Sequence, residues 1–123
     1  MQLQSIRLCT AQLEAMAAFY HKLTGVAPQR PAPGFAVLDF GATQLALTEE
    51  GLIKRFNEGV VSASGNAGAI IEFKVDDVDS VRAGLGADAV IAMEPTDMPW
   101  GNRSMLLRDP DGNAVNLFSR PGR

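Results

Sequence analysis

Phe73-Lys74-Val75-Asp76-Asp77-Val78-Asp79 passes from strand to helix within seven residues. The apolar residues before it predict a strand over 69–75, with side chains alternating between two faces. Asp76-Asp77 supplies carboxylates where a helix start has unpaired N–H groups. Val78, Val81 and Leu85 then recur at helical spacing, and Gly86 ends the run. Downstream, residues 89–93 read as a short strand and residues 95–101 as a proline-bounded loop holding Trp100, the only tryptophan. Residues 103–108 and 114–119 predict a hairpin around Asp109-Pro110-Asp111-Gly112-Asn113, a run of strong turn formers. Upstream, Ser62-Ala63-Ser64-Gly65-Asn66 is a flexible composition and marks a boundary.

The same order occurs before that boundary. Ser5-Ile6-Arg7-Leu8-Cys9 alternates as a half-buried strand, and Thr10 stands where an N-cap belongs. Leu13, Met16, Ala17, Tyr20 and Leu23 are helical in spacing, and Gly25 stops them. Pro28, Pro31, Pro33 and Gly34 break regular structure until a hairpin of strands over 35–40 and 43–48. Residues 49–67 read as a loop with a short helix at 52–56, and Gly51, Gly59, Gly65 and Gly68 would allow it to move as a lid. Strand–helix–strand–strand–strand therefore appears twice, about 65 residues apart. One such unit covers a single face of its sheet. Two predict an α+β fold in which two βαβββ modules form a curled mixed sheet around a cleft, helices outside.

The chain has 123 residues, 46% hydrophobic and 20% charged, with net charge −3, the balance of a globular domain. Its longest basic cluster is Lys54-Arg55, so no nucleic-acid partner is expected. No apolar run reaches the ~18 residues of a membrane span, and Met1-Gln2-Leu3-Gln4 lacks a signal pattern. A cytoplasmic protein is expected. Cys9 is the only cysteine, which excludes an internal disulfide and a CxxC site.

Four segments carry a resemblance: Leu13-Glu14-Ala15-Met16-Ala17-Ala18-Phe19-Tyr20 with Gly25, Phe73 to Asp79, Pro99-Trp100-Gly101-Asn102-Arg103, and Arg108-Asp109-Pro110-Asp111-Gly112-Asn113. In that order they resemble the vicinal oxygen chelate superfamily, which holds glyoxalases, bleomycin-resistance proteins and ring-cleavage dioxygenases. The resemblance implies a single domain over 1–123, with module one at 1–50, a loop at 51–67 and module two at 68–123. Metal enzymes of that family ligate a divalent ion through four positions, usually His and Glu. Those positions fall here on Ser5, Ala46, Ile70 and Asn116. None is an imidazole or carboxylate, and a two-residue error in hairpin register would bring in Thr48 but no carboxylate unless Glu49 or Glu50 curls inward. No metal and no cofactor are therefore expected. The Trp100-Gly101 segment resembles the bleomycin-resistance branch, whose homodimers bind drugs without metal chemistry. That implies a small aromatic or antibiotic-like ligand stacked on Trp100.

Individual residues sharpen this expectation. Arg7, Glu72 and Lys74 interrupt apolar strands on the cleft-facing parity. Arg7 and Glu72 read either as a structural ion pair or as ligand groups, Arg7 for an anionic or carbonyl oxygen and Glu72 for a proton. Asp39 shares a parity with Phe35 and Val37 and suits a cationic ligand, unless Arg103 neutralises it. Asn116 keeps a donor and an acceptor. The expected ligand-binding set is Ser5, Arg7, Asp39, Glu72, Trp100, Arg103 and Asn116. The competing expectation is an enzyme, a lyase or dioxygenase with a displaced metal site or with Glu72 as acid–base group. His21 reads as a solvated helix residue, Cys9 as a small buried filler, and Met93, Met98 and Met105 as adaptable apolar fillers.

Overall fold

A computed structural model describes residues 1–63 and 66–120. Ser64 and Gly65 of the expected boundary lie outside the described residues. The chain divides into two compact units, Met1–Asn66 and Ala67–Arg123.

Unit 1 contains β1 (Ser5–Thr10), α1 (Leu13–Thr24), β2 (Gln29–Ala32), β3 (Phe35–Asp39), β4 (Gln44–Glu49) and α2 (Glu50–Phe56). Its sheet runs β1-β4-β3-β2, with β1 parallel to β4 and the other pairs antiparallel. The pairing puts Leu8, Leu47 and Ala36 side by side, all buried. α1 packs on β3 and β4 and buries Leu13, Met16, Ala17 and Tyr20, the helical stripe read from sequence. Ser5, Arg7 and Cys9 take the other face with Gln44, Ala46 and Thr48. α2 contacts β4 and β1.

Unit 2 contains β5 (Ile70–Lys74), α3 (Val78–Ala83), β6 (Val90–Asp97), β7 (Arg103–Arg108) and β8 (Ala114–Ser119), in the sheet order β5-β8-β7-β6. Asp77 caps α3, its side chain accepting from the N–H groups of Asp79 and Ser80. α3 packs on β6, β7 and β8, and Val78, Met105, Leu107, Val115 and Leu117 are buried. Ile70, Glu72 and Lys74 pair with Ala114, Asn116 and Phe118 and share the opposite parity. The architecture is α+β: two four-stranded mixed sheets, each built from a βαβββ order.

Five local expectations are corrected. Residues 29–32 form β2 despite Pro31. β2 is an edge strand, where a missing N–H costs no ladder bond, and its pairing shifts register between Gln29 and Ala32. β6 runs on through Pro95 to Asp97, where a loop was expected, because β6 is also an edge and its register shifts between Met93 and Thr96. Thr10 does not cap α1. Its Oγ1 accepts from Gln12 N–H at 3.0 Å, two residues ahead of the cap position, and Gln12 occupies that position without a side-chain bond. α2 begins two residues earlier than expected, at Glu50, and α3 ends at Ala83 rather than near Gly86.

Candidate functional site

The four register positions lie on strands, and their side chains include no imidazole and no carboxylate. Ser5 pairs with Gln44, Ala46 with Arg7, Ile70 with Ala114, and Asn116 with Glu72. Ala46 is buried and apolar, and Ile70 is 58% exposed. A methyl and a sec-butyl group offer no lone pair, so the residues present do not fit the family's divalent ion. Among the described residues no three His, Cys, Asp or Glu side chains gather to hold one elsewhere.

The polar residues expected at a binding wall divide into two settings. On unit 2, Asn116 Nδ2 donates to Glu72 Oε2 at 2.9 Å, a cross-strand pair between β8 and β5. Glu72 is exposed and Asn116 half-buried, which leaves carboxylate and amide atoms accessible to a ligand. On unit 1, Arg7 Nη2 donates to Asn57 Oδ1 at 2.8 Å, and its guanidinium lies 6.0 Å from the Phe35 ring centroid. The structure therefore gives Arg7 and Glu72 separate partners inside their own units. Asp39 Oδ1 accepts from Gly41 N–H at 2.8 Å and braces the β3–β4 turn, where Gly41 needs its positive φ of 90°. Trp100 sits in the β6–β7 turn, closed by Met98 N–H to Asn102 C=O at 2.7 Å, and is 70% exposed.

Arg103 stands apart from the others. It pairs across the ladder with Ser119, whose Oγ accepts from Val78 N–H, so it shares the α3 side of the sheet. It forks onto Asp79 at 2.7 and 3.1 Å and reaches Asp97 at 3.1 Å. Its partner is not Asp39. With Asp76, Asp77 and Ser119 these residues line a depression of about 680 Å³. Asp77 is already spent on the α3 cap and Asp79 and Asp97 on Arg103. The depression is the structural junction of α3, β6 and β7.

The hydrogen bond from Arg103, followed by its charge, holds Asp79 below the ordinary carboxylate range. A carboxylate lowered in the folded chain stabilises it fully above the unfolded pKa of about 3.9, and loses that contribution as pH falls through the folded value. The stability gap between the wild-type chain and Asp79→Asn should thus be constant from about pH 7 to about pH 5 and close in more acid solution. Urea unfolding across this range measures it. A gap that persists unchanged into strong acid would exclude the Arg103–Asp79 bond as its source.

His21 is exposed on α1, as read from sequence, while Cys9 is half-buried instead of buried. Met105 is core, and Met93 and Met98 are half-buried. Sequence reasoning missed Asn57. It follows α2 and reaches Arg7 across fifty positions, a contact without local signal.

The family model described as Glyoxalase/Bleomycin resistance protein/Dioxygenase superfamily matches residues 2–117. No curated protein matches. Among solved structures, the fold resembles a glyoxalase/bleomycin resistance protein/dioxygenase family enzyme from Burkholderia phytofirmans, with 21% identity, TM-score 0.81, and 98% of this chain and 99% of that chain covered. A glyoxalase-related enzyme from Fulvimarina pelagi is similar at 22% identity and TM-score 0.79, covering 98% of this chain and 89% of that one. TioX from Micromonospora sp. ML1 is similar at 22% identity and TM-score 0.73, covering 98% and 99%. The family match spans nearly the whole chain, in the order of the two βαβββ units. This chain belongs to the glyoxalase/bleomycin resistance protein/dioxygenase superfamily.

Proposed function

We propose that the chain is a metal-independent small-molecule-binding protein of this superfamily, a cytoplasmic homodimer that sequesters a small aromatic or antibiotic-like compound. The observation that carries this reading is chemical. At the four family ligand positions stand a hydroxyl, a methyl, a branched alkyl and an amide, and the amide is paired with Glu72. Two of these groups carry no donor atom and the other two are neutral, poor metal ligands, a set better suited to hydrogen bonds and contact with an organic ligand than to a divalent ion. Arg7 and Asn116 act as polar fixers with Glu72, and Ser5 and Asp39 add hydrogen-bonding oxygens on unit 1. Trp100 offers an exposed ring for stacking at low entropic cost. Arg103 serves in this reading as the brace of the Trp100 hairpin, through Asp79 and Asp97.

Trp100 makes the test simple, because it is the only tryptophan. An aromatic ligand should quench its fluorescence saturably, and Trp100→Phe should lower affinity by about ten-fold, the loss of roughly 1.4 kcal/mol of stacking. Quenching that never saturates across drug-like aromatics would remove the stacking role. One observation favours the enzyme reading: Asn116 holds Glu72 by a single carboxylate oxygen, as a positioned base would be held. Glu72→Gln separates the two readings, since a binder keeps most of its affinity and an acid–base enzyme loses turnover.

A further inference from the structure

Thr48 is fully buried, and among the described residues its Oγ1 meets no hydrogen-bonding group. A hydroxyl taken out of water without a partner is a net loss to folding, and valine fills the same volume without that loss. Register sets Thr48 beside Cys9 on β1 and Phe35 on β3, on the face that carries Arg7, Ala46 and Val37. Val37 and Ala46 are buried and apolar. The chain enters α2 two residues after Thr48, and α2 contacts both β4 and β1.

α2 is short and lightly anchored. It has seven residues, far too few to persist without packing. Its one buried side chain is Ile53. Its far end is tied to the sheet by Arg7 Nη2 to Asn57 Oδ1 at 2.8 Å. Among the described residues the partners of that guanidinium are the Asn57 amide and the Phe35 ring, both neutral. A carboxylate offered to Arg7 would replace a neutral acceptor with an ionised one, which forms the stronger bond. An orphan hydroxyl, a cation with neutral partners and an apolar floor therefore share one face beside a short helix.

We infer that this face of unit 1 is a subsite for a small planar carboxylate, with α2 as the cover that moves to admit it. Arg7 holds one carboxylate oxygen after releasing Asn57, and Thr48 Oγ1 donates to the other. The planar body lies on Ala46 and Val37 with the Phe35 ring at its margin. The inference rests on the ligand-binding reading above and adds to it a ligand class and Thr48.

Benzoate is the probe, titrated into the full chain and followed by amide NMR. Shifts should saturate at millimolar benzoate and concentrate in β1, β4 and α2. Thr48→Val should melt higher than wild type without benzoate, and should bind benzoate about ten-fold more weakly. Thr48→Ser, which keeps the hydroxyl, should bind close to wild type. Arg7→Gln should lose the binding and provides a second variant if Thr48→Val fails to fold. A Thr48→Val chain that melts below wild type overturns the inference, as does one that binds benzoate undiminished. Absence of shifts overturns it too. Shifts confined to β5 and β8 overturn this subsite and leave the broader binding reading standing, which Trp100 quenching tests separately.

Discussion

Leu47→Ala should cost the chain about 3 kcal/mol of folding stability. Leu47 lies in β4, an inner strand of its sheet, paired with Leu8 on one side and Ala36 on the other. It is 0% exposed and faces away from Arg7, toward the side where α1 lays down Met16, Ala17 and Tyr20. Truncation removes the burial of three carbons and leaves a hole that strands on both flanks prevent from closing. Measured costs for such changes run from about 2 to about 5 kcal/mol, set by how far the site collapses. A domain of this size has only about 6–18 kcal/mol in total, so the loss is a substantial fraction. Urea unfolding should show a lower midpoint with an unchanged slope. Ile70→Ala is the control, because Ile70 is largely exposed and should shift stability by no more than about 0.5 kcal/mol. If Leu47→Ala behaved like Ile70→Ala, α1 would not be sealing that face of the sheet.

Leu47 also shows what a sequence of this kind makes legible. Its place in a strand and its parity with Leu45 follow from local periodicity, as does the helical stripe at Leu13, Met16 and Tyr20, and the structure has them. Asp77 as a cap and Gly25 as a left-handed helix end are equally local, the latter at φ 74°. Pro31 and Pro95 misled for a definite reason. A proline excludes an inner strand, and whether a strand is inner or edge is decided by topology, which local composition does not contain. Partner choice is further from view. Parity allows Arg7 to pair with Glu72, and Asp39 reads as open to neutralisation by Arg103, whereas Arg7 takes Asn57 and Arg103 takes Asp79 and Asp97. A long flexible cation reaches any acceptor within its radius, so parity constrains the face and leaves the partner open. The Thr48 hydroxyl, without a partner among the described residues, is the extreme case. It is defined by what fails to approach it, and that requires every neighbouring side chain to be in place.

The turn at Asp109 is where a local motif has its longest reach, and Asp109→Ala should cost about 3 kcal/mol. Asp109 is buried, and its carboxylate accepts three hydrogen bonds: from Asp111 N–H at 3.0 Å, Asn113 N–H at 2.9 Å and Asn113 Nδ2 at 2.7 Å. Each has an ionised acceptor, and Asn113 is buried, so its donors have little water to fall back on once the carboxylate is gone. Asp109→Asn keeps one acceptor oxygen but sets an NH₂ against an Asn113 donor, and should lose about half as much. The consequence extends past stability. The turn fixes the β7–β8 register, Arg108 opposite Ala114 and Leu106 opposite Asn116. β8 in turn lies between β7 and β5, where Asn116 meets Glu72. A slip of one residue would move Asn116 to the α3 side and break that bond, because strand side chains alternate faces. Amide exchange in Asp109→Ala should therefore quicken along β8 as well as in the turn, and the Glu72–Asn116 contact should weaken. Loss of stability with β8 exchange unchanged would mean that the Leu107, Val115 and Leu117 core holds the register without the turn. The polar pair would then owe its alignment to apolar packing on the opposite face of its own sheet.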